Sequence, residues 1–263
     1  MRLNNLKTIV SENRPIINGW LAIPSSYSAE IMGHQGYDAV TVDLQHGMID
    51  FASALTMLQA LSATPAVPLV RVADDSPAQI MQVLDAGAYG VICPMISTPE
   101  QARRFVSACR YPPQGIRSFG PARGLLYGGA DYPHHANREI LTLAMIETRE
   151  GLANIDAILE TDGLDGVFIG PNDLSLTLTG AASAESTHPE MLSAIELVVS
   201  HCRLKQKIAG IFCTSGAAAA NRIAQGFQFV TPANDVMQLG RASREAIALA
   251  RGNEIPTTGA SGY

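Results

Sequence analysis

The sequence predicts a (β/α)8 barrel, a TIM-type α/β fold. Three observations carry that expectation. Eight short apolar runs alternate with helical patterns along the chain. The runs are nearly continuous in apolar residues, which implies strands buried on both faces of a parallel sheet covered by helices. The chain has 263 residues, and such a barrel takes ~250 as one domain. A doubly wound open sheet is the runner-up, but no GxGxxG fingerprint follows its first strand.

The elements follow in order. Residues 16–23 form the first strand and 25–35 a helix, with Ser25 or Ser26 as its cap. Residues 39–44 are a β-branched strand. Asp50 caps a helix reaching about Ala63, with Leu55, Leu58 and Leu61 on one face. Residues 67–72 are the third strand. Ser76-Pro77 opens a helix as cap then proline, and Gly87 stops it. After the strand at 90–95, Thr98-Pro99-Glu100 repeats that opening. A long loop is expected from Tyr111 to about Arg138, because three prolines and five glycines fall between Tyr111 and Gly129. Strands then read at 141–147, 166–170, 208–213 and 227–230. Helices read at 149–160, 189–205, 217–225 and 234–251. The division expected is one barrel domain over 1–253 and a flexible Gly/Thr/Ser-rich tail over 254–263.

Composition narrows the functional classes. A net charge of −6 with 16% charged residues leaves no basic stripe for a phosphate backbone, so nucleic acid is not expected as a partner. No apolar stretch reaches the ~18 residues that span a bilayer. The four cysteines, Cys93, Cys109, Cys202 and Cys213, form no CxxC pair, and no signal peptide opens the chain. A membrane-free, cytoplasmic protein with reduced thiols is the expectation.

Barrel chemistry sits at the C-terminal strand ends. There the sequence places Trp20, Asp43-Leu44-Gln45-His46-Gly47, Arg71, Cys93-Pro94-Met95, Glu147-Thr148, Gly170-Pro171-Asn172-Asp173, Cys213-Thr214-Ser215 and Thr231-Pro232. Unpaired buried charge is costly, so ionisable strand ends point to chemistry. Glu147 and Asp173 stand on adjacent strand ends and suit a hard divalent cation such as Mg2+ or Mn2+; each also reads as a helix or turn cap. Asp43 lies three residues before His46 and could orient it for general-base work; a loop histidine bonded to a neighbour fits as well. Arg71 is the one cation of the strand ends, offering a fork to a carboxylate or enolate oxygen, or else an ion pair to Asp43. The only lysines are Lys7, Lys205 and Lys207, none at a strand end. Imine catalysis is therefore disfavoured, leaving metal polarisation as the route to a carbanion.

These residues are familiar as a set. Val42-Asp43-Leu44-Gln45-His46-Gly47, Val70-Arg71-Val72, the loop from Gly115-Ile116-Arg117, Ile146-Glu147-Thr148 and the run from Asp165 through Gly170-Pro171-Asn172-Asp173-Leu174-Ser175 resemble the HpcH/HpaI aldolase family. The likeness extends from about Trp20 to Arg251. It implies a barrel of the phosphoenolpyruvate/pyruvate-binding type. The implied activity is reversible cleavage of 4-hydroxy-2-keto acids to pyruvate, or a related 2-keto acid, and an aldehyde.

The resemblance also implies roles. Glu147 and Asp173 would hold Mg2+, Mn2+ or Co2+. His46, supported by Asp43, would be the acid/base, and Arg71 would stabilise the enolate. Gly170, Pro171, Asn172 and Asp173 would help hold the keto acid; by position alone, Trp20 at the first strand end and Arg123 in the long loop are further expected substrate contacts. Asp85 matches a position that reaches a neighbouring subunit's site. The family pattern is a hexamer, a trimer of dimers with the C-terminal helix exchanged between subunits. Two departures stand out: Met145 where the family usually has Gln, and Asn172 where it commonly has Ala. A thioether cannot make an amide's hydrogen bonds, so substrate preference is expected to differ. The segment Phe119-Gly120-Pro121 departs as well. A related acyl-CoA lyase of citryl or malyl type, or a metal-binding barrel without activity, are the alternative readings. The scarcity of lysine argues against a CoA-binding surface.

Overall fold

The structure, a computed structural model, describes residues 2–254. Eight parallel strands close into a barrel in chain order: β1 (Ile16–Leu21), β2 (Ala39–Asp43), β3 (Val67–Arg71), β4 (Gly90–Cys93), β5 (Leu141–Ile146), β6 (Gly166–Ile169), β7 (Ile208–Cys213) and β8 (Phe229–Pro232). Closure is made where Ile16 and Ile17 pair with Phe229 and Val230. β2 through β7 are buried along their whole length. That is why they read as unbroken apolar runs: the inward side packs the barrel and the outward side meets helices.

Thirteen helices are assigned among the described residues: α1 (Asn5–Ser11), α2 (Ser26–Gly33), α3 (Phe51–Leu61), α4 (Pro77–Asp85), α5 (Pro99–Cys109), α6 (Ala122–Gly128), α7 (Tyr132–Glu139), α8 (Arg149–Ala153), α9 (Ile155–Leu159), α10 (Pro171–Thr179), α11 (Pro189–Leu204), α12 (Gly216–Ala224) and α13 (Asp235–Ala250). Most start signals act as expected; Ser76 stands at the N-cap of α4 before Pro77, but its side chain makes no cap bond. Ser25 and Asp50 accept from the backbone N–H of Ser28 and Ser53. Thr98 and Gln101 cap each other's backbone in a complete capping box. Gly87 ends α4 at φ +104°, a conformation in which a side chain is strained.

Two expectations are corrected, and two further helices, α1 and α10, stand where none was expected. The stretch 111–138 is no continuous loop: it holds α6 and α7, which pack on each other around Tyr132. Its prolines and glycines punctuate these short helices rather than dissolve them. The polar N-terminal stretch contains α1, capped by Asn4. The helix expected over 149–160 breaks at Asn154 into α8 and α9. A further helix, α10, follows β6 directly, because Pro171 is a good first helical residue and Gly180 stops it in the left-handed conformation.

Side chains inside the barrel form steps along each strand. Asn18 donates to Thr231 Oγ1 at 2.9 Å, and Thr41 Oγ1 donates to Asn18 Oδ1 at 3.0 Å, so this buried polar step is internally satisfied. Toward the C-terminal ends, Trp20 stacks on Phe168 at 5.6 Å between centroids and meets Phe212 edge-on at 5.8 Å. This aromatic plug closes the barrel beneath its mouth.

All three lysines lie at the N-terminal end of the barrel, away from that mouth. Lys7 bonds Asp165 before β6, Lys207 bonds the Leu164 carbonyl, and Lys205 pairs with Glu160. Among the described residues no helix is long and apolar enough to cross a membrane. The tail expected over 254–263 lies outside the described residues apart from Glu254.

Candidate active site

The mouth at the strand ends holds a cavity of about 580 Å³. Its lining brings together Trp20, His46, Arg71, Glu147, Gly170, Pro171, Asn172 and Asp173. Asp43 lies just beneath, fully buried.

Asp43 and Arg71 are register partners at the ends of β2 and β3. The guanidinium forks onto the carboxylate, Nε to Oδ1 at 2.8 Å and Nη2 to Oδ2 at 2.6 Å. Trp20 Nε1 donates to Oδ2 at 3.2 Å, and the Trp20 ring lies 4.9 Å from the guanidinium carbon. Burial alone would push the Asp43 carboxyl up, but the Arg71 fork and its charge, with Trp20 and Gln45, hold it below the usual carboxylate value. Of the two readings left open for Arg71, the ion pair with Asp43 is present. Oδ1 of Asp43 also accepts the backbone N–H groups of Gln45 and His46 at 3.0 and 3.2 Å. The carboxylate thus fixes the turn that carries His46, whose side chain is exposed at the mouth.

Glu147 follows β5 and is 2% exposed. Its Oε2 accepts from the Met95 backbone N–H at 2.8 Å, which Met95 aims by taking φ +57°. A Cβ on Gly170 would stand 2.2 Å from Glu147 Oε1, so glycine at the end of β6 makes room for the carboxylate. Burial pushes the Glu147 carboxyl up to about 7. The Met95 N–H and the Arg71 charge oppose that rise, and the charges of Asp173 and Asp43 add to it.

The cap reading of Glu147 is not what the structure has, since Thr148 caps α8 through Gly151 N–H. Asp173 sits in the first turn of α10, whose N-cap Gly170 makes no side-chain cap bond. A buried carboxylate driven toward neutrality beside a second carboxylate is a donor set that a divalent cation completes. Among the described residues no cluster of three or more His, Cys, Asp or Glu is present. Two protein ligands with water or substrate oxygens as the remainder match a catalytic cation's open site.

Two expected substrate contacts stand elsewhere within this chain. Asp85 ends α4 at the N-terminal side and accepts from Arg117 Nη2 at 2.7 Å. Arg123 is held by the Ala86 carbonyl and Ser62 Oγ, both at 2.8 Å. Neither lines the mouth cavity. Sequence reasoning did not single out Phe168 and Phe212, although two-residue strand spacing puts Phe168 on the same face as Gly170. Met48 and Val236 also line the cavity. They come from a loop and a helix start, where no periodicity points to the mouth.

Carboxylates and an arginine at the strand ends of a lysine-free barrel mouth belong to enzymes that handle carbanions without an imine. The family model for HpcH/HpaI aldolase/citrate lyase matches residues 17–242, and the chain belongs to that family. It is 46% identical over 249 residues to a hydroxypyruvate/pyruvate aldolase of Rhizorhabdus wittichii, covering 95% of this chain and 99% of that one. It is 39% identical to a 4-hydroxy-2-oxo-heptane-1,7-dioate aldolase of Salmonella dublin, covering 98% of each. A crystal structure of an HpcH/HpaI aldolase/citrate lyase family protein from Burkholderia cenocepacia superposes with a TM-score of 0.89 at 31% identity, over 94% of this chain and 99% of that one.

Proposed function

We propose that this protein is a class II aldolase, a carbon–carbon lyase that reversibly cleaves 4-hydroxy-2-keto acids to pyruvate, or a related 2-keto acid, and an aldehyde. The observation that carries the reading is Glu147: a buried carboxylate given room by Gly170 and held by the Met95 N–H, lining one cavity with Asp173 and Arg71 in a mouth that holds no lysine. The names of the two relatives support the reaction class.

Glu147 and Asp173 would hold a divalent cation, Mg2+, Mn2+ or Co2+. Bound there, it supplies Lewis-acid stabilisation of negative charge on the keto-acid oxygens. The chain's own residues do the rest. Arg71, locked by Asp43 and Trp20, presents a fixed positive charge to the enolate oxygen. Because its fork is already oriented, little reorganisation accompanies charge development. His46, on the turn braced by Asp43, takes the proton of the C4 hydroxyl as the C3–C4 bond breaks and returns it in the synthetic direction. The free N–H groups at the start of α10, from Asn172 and Asp173, hold the keto-acid carboxylate. Trp20 floors the site and keeps water from beneath the enolate.

The chain works as a homo-oligomer in this reading, a hexamer built from dimers that exchange α13. Supporting it, Leu239, Ile247 and Leu249 of α13 are all exposed, and the helix packs on its own barrel mainly through its start. Asp85 would then serve a neighbour's site rather than its own. The cytoplasm is the compartment we assign.

The test is exchange of the pyruvate methyl protons with D2O, followed by NMR. Chelator-dialysed protein should lose exchange, and Mn2+ or Mg2+ should restore it. Full exchange in chelator, unchanged by added metal, would overturn the metal role.

A further inference from the structure

The mouth has two chemically distinct halves, and the closed strand order shows where each lies. β3 to β6 and the start of α10 carry the charged side chains of the lining, Arg71, Glu147 and Asp173, together with Asn172 and the apolar Met145 and Phe168. β7, β8, β1 and β2 are contiguous around the ring. Besides Trp20 at the floor, their contribution to the cavity wall is Phe212 from β7, itself part of the aromatic plug, Val236 from the first turn of α13, Ala22 after β1 and Met48 beyond β2. His46 stands at the seam.

None of those four wall side chains carries a charge or a hydrogen-bonding group beyond the Met48 thioether. Within one chain Met48 is 79% exposed and Val236 51%, so apolar side chains stand at the cavity edge. Asp235 lies behind this wall, but its carboxylate is taken by the backbone N–H groups of Ala22, Ile23 and Val236. It offers an anion nothing but repulsion. Among the described residues, the one cation lining the cavity is Arg71, across the mouth and forked to Asp43.

On the aldolase reading above, the keto acid occupies the charged half. We infer that the apolar half is the acceptor wall and selects uncharged aldehydes with an aliphatic or aromatic tail over aldehydes bearing a terminal carboxylate. An anionic tail there would lose water without gaining a counter-ion. The S. dublin relative supplies the comparison, since a 1,7-dioate aldolase by its name acts on a molecule with a second carboxylate.

The test uses the full chain with Mn2+, pyruvate as donor, and a series of propanal, butanal, pentanal and succinic semialdehyde, with kcat/KM read for each. Each added methylene should raise kcat/KM about threefold to fourfold, the equivalent of ~0.8 kcal/mol per buried CH2. Succinic semialdehyde should fall about tenfold or more below pentanal. Val236→Arg should raise the succinic semialdehyde to pentanal ratio about tenfold, and Met48→Arg should act in the same direction. Both positions are exposed, so both variants should fold. A flat alkyl series, a preference for succinic semialdehyde in the parent protein, or a ratio unmoved by both variants overturns the inference. Pyruvate proton exchange run alongside separates the two levels: exchange with the wrong acceptor order sinks only the acceptor wall. Absence of exchange sinks the aldolase reading and the wall with it.

Discussion

Arg71 and Glu147 show how the barrel prepares two buried ionisable groups in opposite ways. Arg71 is paired with Asp43 at bonding distance and keeps its charge, so burial of the pair is supported by a bidentate bond and the Trp20 N–H. Among the described residues Glu147 has only the Met95 N–H at bonding distance, and burial pushes its carboxyl up to about 7 from an ordinary value of 4.5. The folded chain therefore keeps a proton that the unfolded chain releases between those values. Stability from this group is complete below about pH 4.5 and is lost as pH rises through about 7, a difference of about 3 kcal/mol. Glu147→Gln in chelator should abolish that loss. Its melting temperature should gain on the parent's by about 5 °C or more between pH 5 and pH 8, as read by circular dichroism. The same variant should lose proton exchange. A gap that does not widen with pH would contradict the buried-charge account.

At the scale of elements, the strand ends were the most legible part of the sequence. Ionisable residues terminating apolar runs, at Asp43, Arg71 and Glu147, are visible without any structure. Their pairing was not: Asp43 was open to both His46 and Arg71, and only the β2–β3 register settles that the fork belongs to Arg71. The capping signals of α3, α4 and α5 were equally plain. α6 and α7 escaped because helices this short show no full amphipathic period, while their glycines and prolines look like turn chemistry. Gly124 and Gly128 are small for a reason of packing, since both back directly onto Tyr132. Gly170 makes the sharpest prediction at this scale. Its φ of −89° would suit alanine, so Gly170→Ala should cost little through the backbone. The added methyl would displace the Glu147 carboxylate. Proton exchange should fall about 100-fold or more, with a melting shift of only a few degrees; retained exchange would mean that Glu147 has freedom to move aside.

For the whole molecule, the barrel was readable because eight buried strands leave an unmistakable alternation, and its closure is one of few ways to cover both faces of such a sheet. Assembly is less readable from one chain. The helix α13 has the periodicity of a packed helix and the exposure of an unpacked one, with Leu239, Ile247 and Leu249 open to solvent. On the hexamer reading these residues are covered by a second copy. The pair Leu239→Glu and Ile247→Glu should therefore break the assembly into smaller species by light scattering, while the barrel keeps its secondary structure. An unchanged particle mass would remove α13 from the interface.

The clustering of all three lysines at the N-terminal end has a practical corollary. Reagents that couple amines will fasten this protein through its base, by Lys7, Lys205 or Lys207, and no lysine at the rim competes for the attachment. Within each barrel, such coupling leaves the rim of the mouth free of lysine attachment.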